Sequence, residues 1–176
     1  LAATHFLKLM PNDLILLDRG YPAFWLFKLI LSMKANFCAR ISPKRWKVIK
    51  KFDRSNQRQC IIKLEPSTAS LPKCFNMGLG KNTIELRLIK VELDTGETEI
   101  LITSLTDETC YPLHIFSDLY HNRWPVEEDY KTMKCRMQIE NFSGKSALSV
   151  YQDFHAKIFS KNLTAIIAAS TKKYIA

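Results

Sequence analysis

Tyr120, Arg123, Glu127 and Lys134 stand at successive spacings of 3, 4 and 7 residues. On one continuous helix, at about 100° per residue, all four would fall within roughly 60° of arc. A phenol, a guanidinium, a carboxylate and an ammonium on one stripe make a poor core face. They suit a metal ion and a phosphodiester: the carboxylate can hold the metal, and the other three can hold phosphate oxygens. The same spacing also describes a solvated helix face with weak Glu–Lys pairs, and on spacing alone that reading is the stronger. Pro125 lies inside the stretch. A proline removes a helical hydrogen bond and clashes one turn back, so the helix is expected to restart with Pro125 in its first turn. Glu127 and Lys134 would still share a face, with Tyr120 and Arg123 on the preceding segment.

Two further places could carry chemistry. Leu14-Ile-Leu-Leu17 is a short continuous apolar run, the pattern of a strand buried on both faces. It delivers Asp18 at its C-terminal end, where open α/β sheets place functional groups. Without other information, the favoured reading of Asp18 is a helix N-cap or a turn residue before Gly20. Residues 43–58 are strongly basic, and Trp46 sits among them. Charge plus one stacking surface suits single-stranded or distorted DNA. A soluble edge strand and loop would look the same.

The pattern Y-x2-R-x3-E-x6-K, met without a gap by Tyr120, Arg123, Glu127 and Lys134, resembles the signature of bacterial insertion-sequence transposases with a DDE active site, the insertion sequence four family. The run Leu119-Tyr-His-Asn-Arg-Trp-Pro-Val-Glu-Glu128 is similar to that family in wording too. Upstream, Asp13-Leu-Ile-Leu-Leu-Asp-Arg-Gly-Tyr21 resembles the segment that carries the family's second aspartate. The resemblance implies an α/β fold: a partial ribonuclease-H-like core with a β-rich insertion and a helical C-terminal part. It implies Asp18 and Glu127 as metal-binding catalytic carboxylates, two Mg²⁺ (or Mn²⁺) ions in the complete enzyme, and Tyr120, Arg123 and Lys134 on DNA phosphates. It also implies transposon ends and target DNA as partners, a homodimer, and a cytoplasmic, nucleoid-associated protein.

The family's first aspartate should lie well upstream of Asp18, but only 17 residues precede it. Asp13 is five residues away along an extended segment, roughly 17 Å, and cannot replace the missing ligand. The expectation is a C-terminal transposase part that is inactive alone, with Leu14 to Leu17 presenting an unpaired apolar edge. Two alternatives remain: a non-catalytic DNA-binding remnant, and a metal-dependent nuclease of the same fold.

The elements that must position these residues follow from patterning. Residues 1–41 form the partial core: a helix end over 1–10, the strand before Asp18, a helix over Pro22–Lys34 with Phe24, Phe27, Ile30 and Leu31 on one face, and a strand over Asn36–Ile41. Residues 42–106 form the basic β-rich insertion, with strands near Cys60–Leu64, Thr83–Leu93 and Thr98–Leu105. Pro66–Leu79 reads as loop and Asp94–Glu97 as a hairpin link. Residues 107–176 are helical, capped near Asp107 or Thr109, with a break at Asn141–Lys145 and a last helix over Ser146–Thr171 whose apolar stripe reads as core packing.

Composition bounds the classes. The chain of 176 residues is 47% hydrophobic, enough for a sizeable core. Twenty-six Lys and Arg against 17 acidic residues give a formal charge of +9, which suits a polyanionic partner. Five cysteines without a C-x-x-C pair argue against a zinc site or a disulfide framework. The four histidines form no metal-spaced cluster, and no apolar run approaches a membrane span.

Overall fold

A computed structural model of the protein describes residues 8–93 and 96–172. The chain divides into two compact units, residues 1–122 and 123–176.

The first unit is built on one five-stranded mixed sheet. Its strands are β1 (Leu14–Leu17), β2 (Asn36–Ile41), β3 (Gln59–Leu64), β4 (Ile84–Glu92) and β5 (Thr98–Thr103), in the spatial order β1-β2-β5-β4-β3. β1 and β2 are parallel, with Leu17 opposite Ala39, and are joined by α1 (Phe24–Ser32). A parallel pair needs such a crossover. All other pairings are antiparallel, and β4–β5 is the expected hairpin. Gly96 supplies the positive φ of 79° its link requires, and Asp94 and Thr95 of that link lie outside the described residues. This mixed α/β arrangement is a partial ribonuclease-H-like fold, and the strands of segment 42–106 continue the same sheet as β1 and β2.

Alternation along the strands divides the core in two. Phe37, Ala39, Leu86, Leu88, Ile100 and Ile102 face one side. There they meet Phe24, Phe27 and Ile30 of α1, Ile49 and Phe52 of α2 (Lys47–Asp53), and Cys74 of α3 (Leu71–Asn76). The rings of Phe27 and Phe37 stack at 4.2 Å. Cys38, Ile89 and Leu101 face the other side and pack with Leu105 and with Phe116 and Tyr120 of α4 (Ile115–His121). Burial on both faces explains why the central strands read as nearly continuous apolar runs.

Several expectations change. β1 is not buried on both faces: it lies at the sheet edge, pairs with β2, and leaves Leu14 exposed while Leu17 is buried. The 43–58 run is not strand and loop but contains α2, whose Ile49 and Phe52 reach the core at a spacing of three in an otherwise basic segment. Pro66–Leu79 holds α3, a short helix with Pro72 in its first turn. Six residues are too few to show periodicity. Asp107 caps a turn rather than a helix: it accepts from the Thr109 and Cys110 amides at 2.8 and 3.0 Å, and α4 begins only beyond Pro112. Of the helix end expected at 1–10, residues 1–7 lie outside the described residues.

The second unit contains α5 (Trp124–Lys131), a π-helical turn over Thr132–Arg136, and α6 (Ala147–Lys172). Asp153 on α6 accepts from the Ser143 amide at 2.8 Å, and Lys157 donates to the Gln138 carbonyl at 3.1 Å, fastening the break at 141–145. The α6 stripe is not core packing: Phe159, Leu163, Ile166 and Ile167 are exposed. The unit has no sheet among its described residues to receive that stripe.

Candidate functional site

The first motif builds a strand end. Asp18 follows the last residue of β1 and is half-buried. The chain turns at once, with the Tyr21 amide donating to the Asp18 carbonyl at 3.0 Å. Pro22 and Ala23 then lead into α1. Asp13, five residues earlier, accepts from the Met10 amide at 2.8 Å and so caps the turn before β1.

The second motif does not lie on one helix. Pro125 takes the first turn of α5, and the helical path breaks at Asn122–Arg123 as the proline requires. Tyr120 is therefore on α4 and Arg123 is at the N-cap position of α5. Glu127 is on α5, and its side chain lies outside what the structure describes. Lys134 is in the π-helical turn, a distortion common at functional sites. Its ammonium meets the Glu140 carboxylate at 3.1 Å and lies 5.2 Å from the Tyr130 ring centroid. The hydrogen bond to Glu140 and the attraction of its charge hold the Lys134 pKa above its ordinary value.

Within the first unit, one contact joins Tyr120 to the first motif. The Tyr120 hydroxyl donates to the Leu17 carbonyl at 3.3 Å, across 103 residues of chain. Tyr120 is only 4% exposed, and the residue it holds immediately precedes Asp18. Sequence reasoning put this hydroxyl on a phosphate; it lies inside the protein, on backbone. The α4 helix that carries it is seated by Phe116 and by a residue the sequence reading passed over. Arg87, fully buried in β4, donates to the Tyr111 carbonyl at 2.6 Å and to Gln59 Oε1, and lies 5.2 Å from the Phe116 ring. Gln59 in turn donates to Glu108 at 2.7 Å, so an amide links the buried cation to an exposed carboxylate. In sequence Arg87 looks like the solvent side of an alternating strand. The clue was that its same-face neighbours Ile89 and Val91 are apolar.

Trp46 stands at the N-cap position of α2 with extended backbone. It is half-buried, tilted against Phe27 at 6.2 Å, with the Arg45 guanidinium 5.7 Å from its ring. Part of its role is thus packing.

Among the described residues, no three His, Cys, Asp or Glu side chains stand together where they could hold a metal ion. The thiols are free, and burial pushes Cys38 up to about 12. None of the described helices is long and apolar enough to cross a membrane.

Residues 2–163 match the family described as Transposase DDE domain. Over 131 residues the chain is 29% identical to the transposase InsG for insertion sequence element IS4 of Escherichia coli (strain K12), a match that covers 72% of this chain and 28% of that protein. An aspartate at the end of a sheet-edge strand, a tyrosine of the Y-R-E-K stretch bonded to the residue before it, and a family match along most of the length lead to one conclusion: the chain belongs to the DDE-domain transposases, of the insertion-sequence-four type.

Proposed function

We propose that this chain acts on DNA as part of an insertion-sequence transposase that cleaves and joins phosphodiesters at transposon ends and target. The observation that carries the reading is the Tyr120–Leu17 hydrogen bond, which ties the first residue of the second motif to the strand that ends in Asp18. In this reading Tyr120 works from inside, fixing the strand end. Arg123 and Lys134 grip backbone phosphates, and Asp18 and Glu127 are the catalytic carboxylates. Lys134 must exchange Glu140 for phosphate when DNA arrives. The formal charge of +9 favours association with a polyanion at low salt.

Carboxylates of this kind hold a divalent cation, Mg²⁺ or Mn²⁺, which supplies charge neutralisation at the phosphorus. Of the two carboxylates, Asp18 is the one whose side chain the structure describes. The basic charge alone also supports a second reading, a DNA-binding chain without cleavage of its own.

Fluorescence anisotropy with labelled duplex DNA tests the first part. Binding should weaken with salt, and an Arg123→Ala/Lys134→Ala double variant should reduce the log–log salt slope by about 2. Absence of binding at low salt would sink both readings. Mn²⁺-dependent nicking of supercoiled plasmid then separates them. Nicking that disappears in Glu127→Gln supports cleavage by this chain, and binding without nicking supports the second reading.

A further inference from the structure

The first unit contains a cleft of about 380 Å³ on the helical side of its sheet, and neither motif uses it. Its lining includes Trp25, Arg45, Trp46, Ser67, Ser70 and Lys73. We propose that this cleft is a subsite for one phosphate and the adjoining nucleotide of an unpaired DNA strand. The inference rests on the DNA reading above and gives it a second, separate contact.

The charge of the cleft is of one sign. Arg45 and Lys73 are its ionisable lining residues, and no carboxylate is among the described residues that line it. Both residues are exposed, yet both cations are held. Lys73 Nζ lies 5.4 Å from the Trp25 ring centroid, and Arg45 Cζ lies 5.7 Å from that of Trp46. A cation resting on an indole face is localised without being neutralised, so its hydrogen-bond donors remain usable by an anion. Neither Arg45 nor Lys73 pairs with a carboxylate among the described residues, in contrast to Lys134. Two hydroxyls complete the polar lining: Ser67 Oγ and Ser70 Oγ lie 2.7 Å apart and can turn their protons to phosphate oxygens. The half-buried indoles give the apolar wall against which a base or sugar can rest. The volume lies at the small end of ligand sites, right for one nucleotide unit and too narrow for a duplex.

The cleft is also joined to the Asp18 strand end. Arg45 Nη2 donates to the Pro22 carbonyl at 2.9 Å, and Pro22 is four residues beyond Asp18 in the same loop. A strand held in the cleft by Arg45 is thereby held by the loop that leaves Asp18. The basic run 44–58 continues from the cleft wall along α2 and can follow the next phosphates.

The test is a tryptophan-fluorescence titration of the whole chain carrying Trp124→Phe, so that Trp25 and Trp46 report. The probes are a single-stranded dT8 oligonucleotide, dTMP and inorganic phosphate. The expected result is saturable quenching by dT8, with dTMP and phosphate at least tenfold weaker. Arg45→Gln/Lys73→Gln should raise the Kd for dT8 at least tenfold and lower the salt slope by about 1.4. A charge-matched control, Lys63→Gln/Lys81→Gln at exposed positions outside the cleft and the basic run, should lose clearly less. Lys73→Gln alone, at an exposed residue, should show part of the loss with an unchanged melting midpoint. Equal losses in the cleft and control variants would overturn the proposal, as would dTMP binding as tightly as dT8. Duplex binding that persists while the cleft variants behave as wild type sinks this inference alone, whereas no DNA binding of any kind sinks the proposed function with it.

Discussion

Tyr120→Phe removes one oxygen atom from the point where the two motifs meet. The ring stays, so its packing against Cys38, Ile89, Leu101, Leu105 and Phe116 is kept. The change removes the bond to the Leu17 carbonyl, which at 3.3 Å is longer than the usual O–H···O range. A net hydrogen bond contributes about 0.5–1.5 kcal/mol, and a buried acceptor left without its donor adds to the cost. About 1 kcal/mol is therefore expected. For a unit of this size that lowers the melting midpoint by roughly 3–5 °C. The same free energy should speed amide exchange by local opening at Asp18 and Arg19 about fivefold. Tyr120→Ala also deletes the ring and should cost about 3–5 kcal/mol. The assays are thermal unfolding by circular dichroism, hydrogen exchange read by mass spectrometry over residues 14–21, and DNA anisotropy. If the hydroxyl is a brace, Tyr120→Phe shifts melting and exchange but leaves the DNA Kd within about twofold. An unchanged midpoint with DNA binding weakened tenfold would refute the reasoning and return the hydroxyl to a phosphate.

Three other outcomes follow from the structure. Arg87→Met fills much of the space but strips the Tyr111 carbonyl and Gln59 of a charged donor; the two bonds lost, offset by no longer burying a cation, suggest a cost of about 2–3 kcal/mol, and an unmoved urea midpoint would contradict it. Glu140→Gln removes the hydrogen bond and charge that hold the Lys134 pKa up, so that pKa should fall towards its ordinary value and DNA should bind a few-fold more tightly; weaker binding would mean that Lys134 does not face phosphate. Cys38 keeps its proton in the folded state up to about 12, against an ordinary value of 9.0, so its contribution is full below pH 9 and is lost as pH rises above it, by about 1.4 kcal/mol per unit between pH 9 and 12. The fall in melting midpoint from neutral to alkaline pH should therefore be smaller in Cys38→Ala than in the wild type, and native alkylation should reach the exposed Cys110 and Cys135 while sparing Cys38; labelling of Cys38 at the rate of Cys135 would contradict its burial.

The sequence carried more of the strands than of the short helices. Asn36–Ile41 and the β4–β5 hairpin were legible because apolar runs and a Gly-containing link have one economical folding. The two short helices α2 and α3 were not. Seven and six residues offer two turns at most, and in the basic segment the apolar positions Ile49 and Phe52 are outnumbered by charge. The break at Pro125 was legible from proline chemistry alone. The buried state of Arg87 was not, because a charged residue in an alternating strand defaults to solvent.

By itself the sequence determined the two motifs, their order, the family they resemble, and the strand that ends in Asp18. Those are local properties: residue types, spacing and the period of the backbone. Only the tertiary structure decided that β1 pairs with β2, that the 59–103 strands continue its sheet, and that Tyr120 points inward to Leu17. It alone brought Trp25, Arg45 and Lys73 to one cleft. Each of these depends on which segments pair across tens of residues, and pairing is chosen by the packing of two buried sheet faces, which no single stretch of chain encodes.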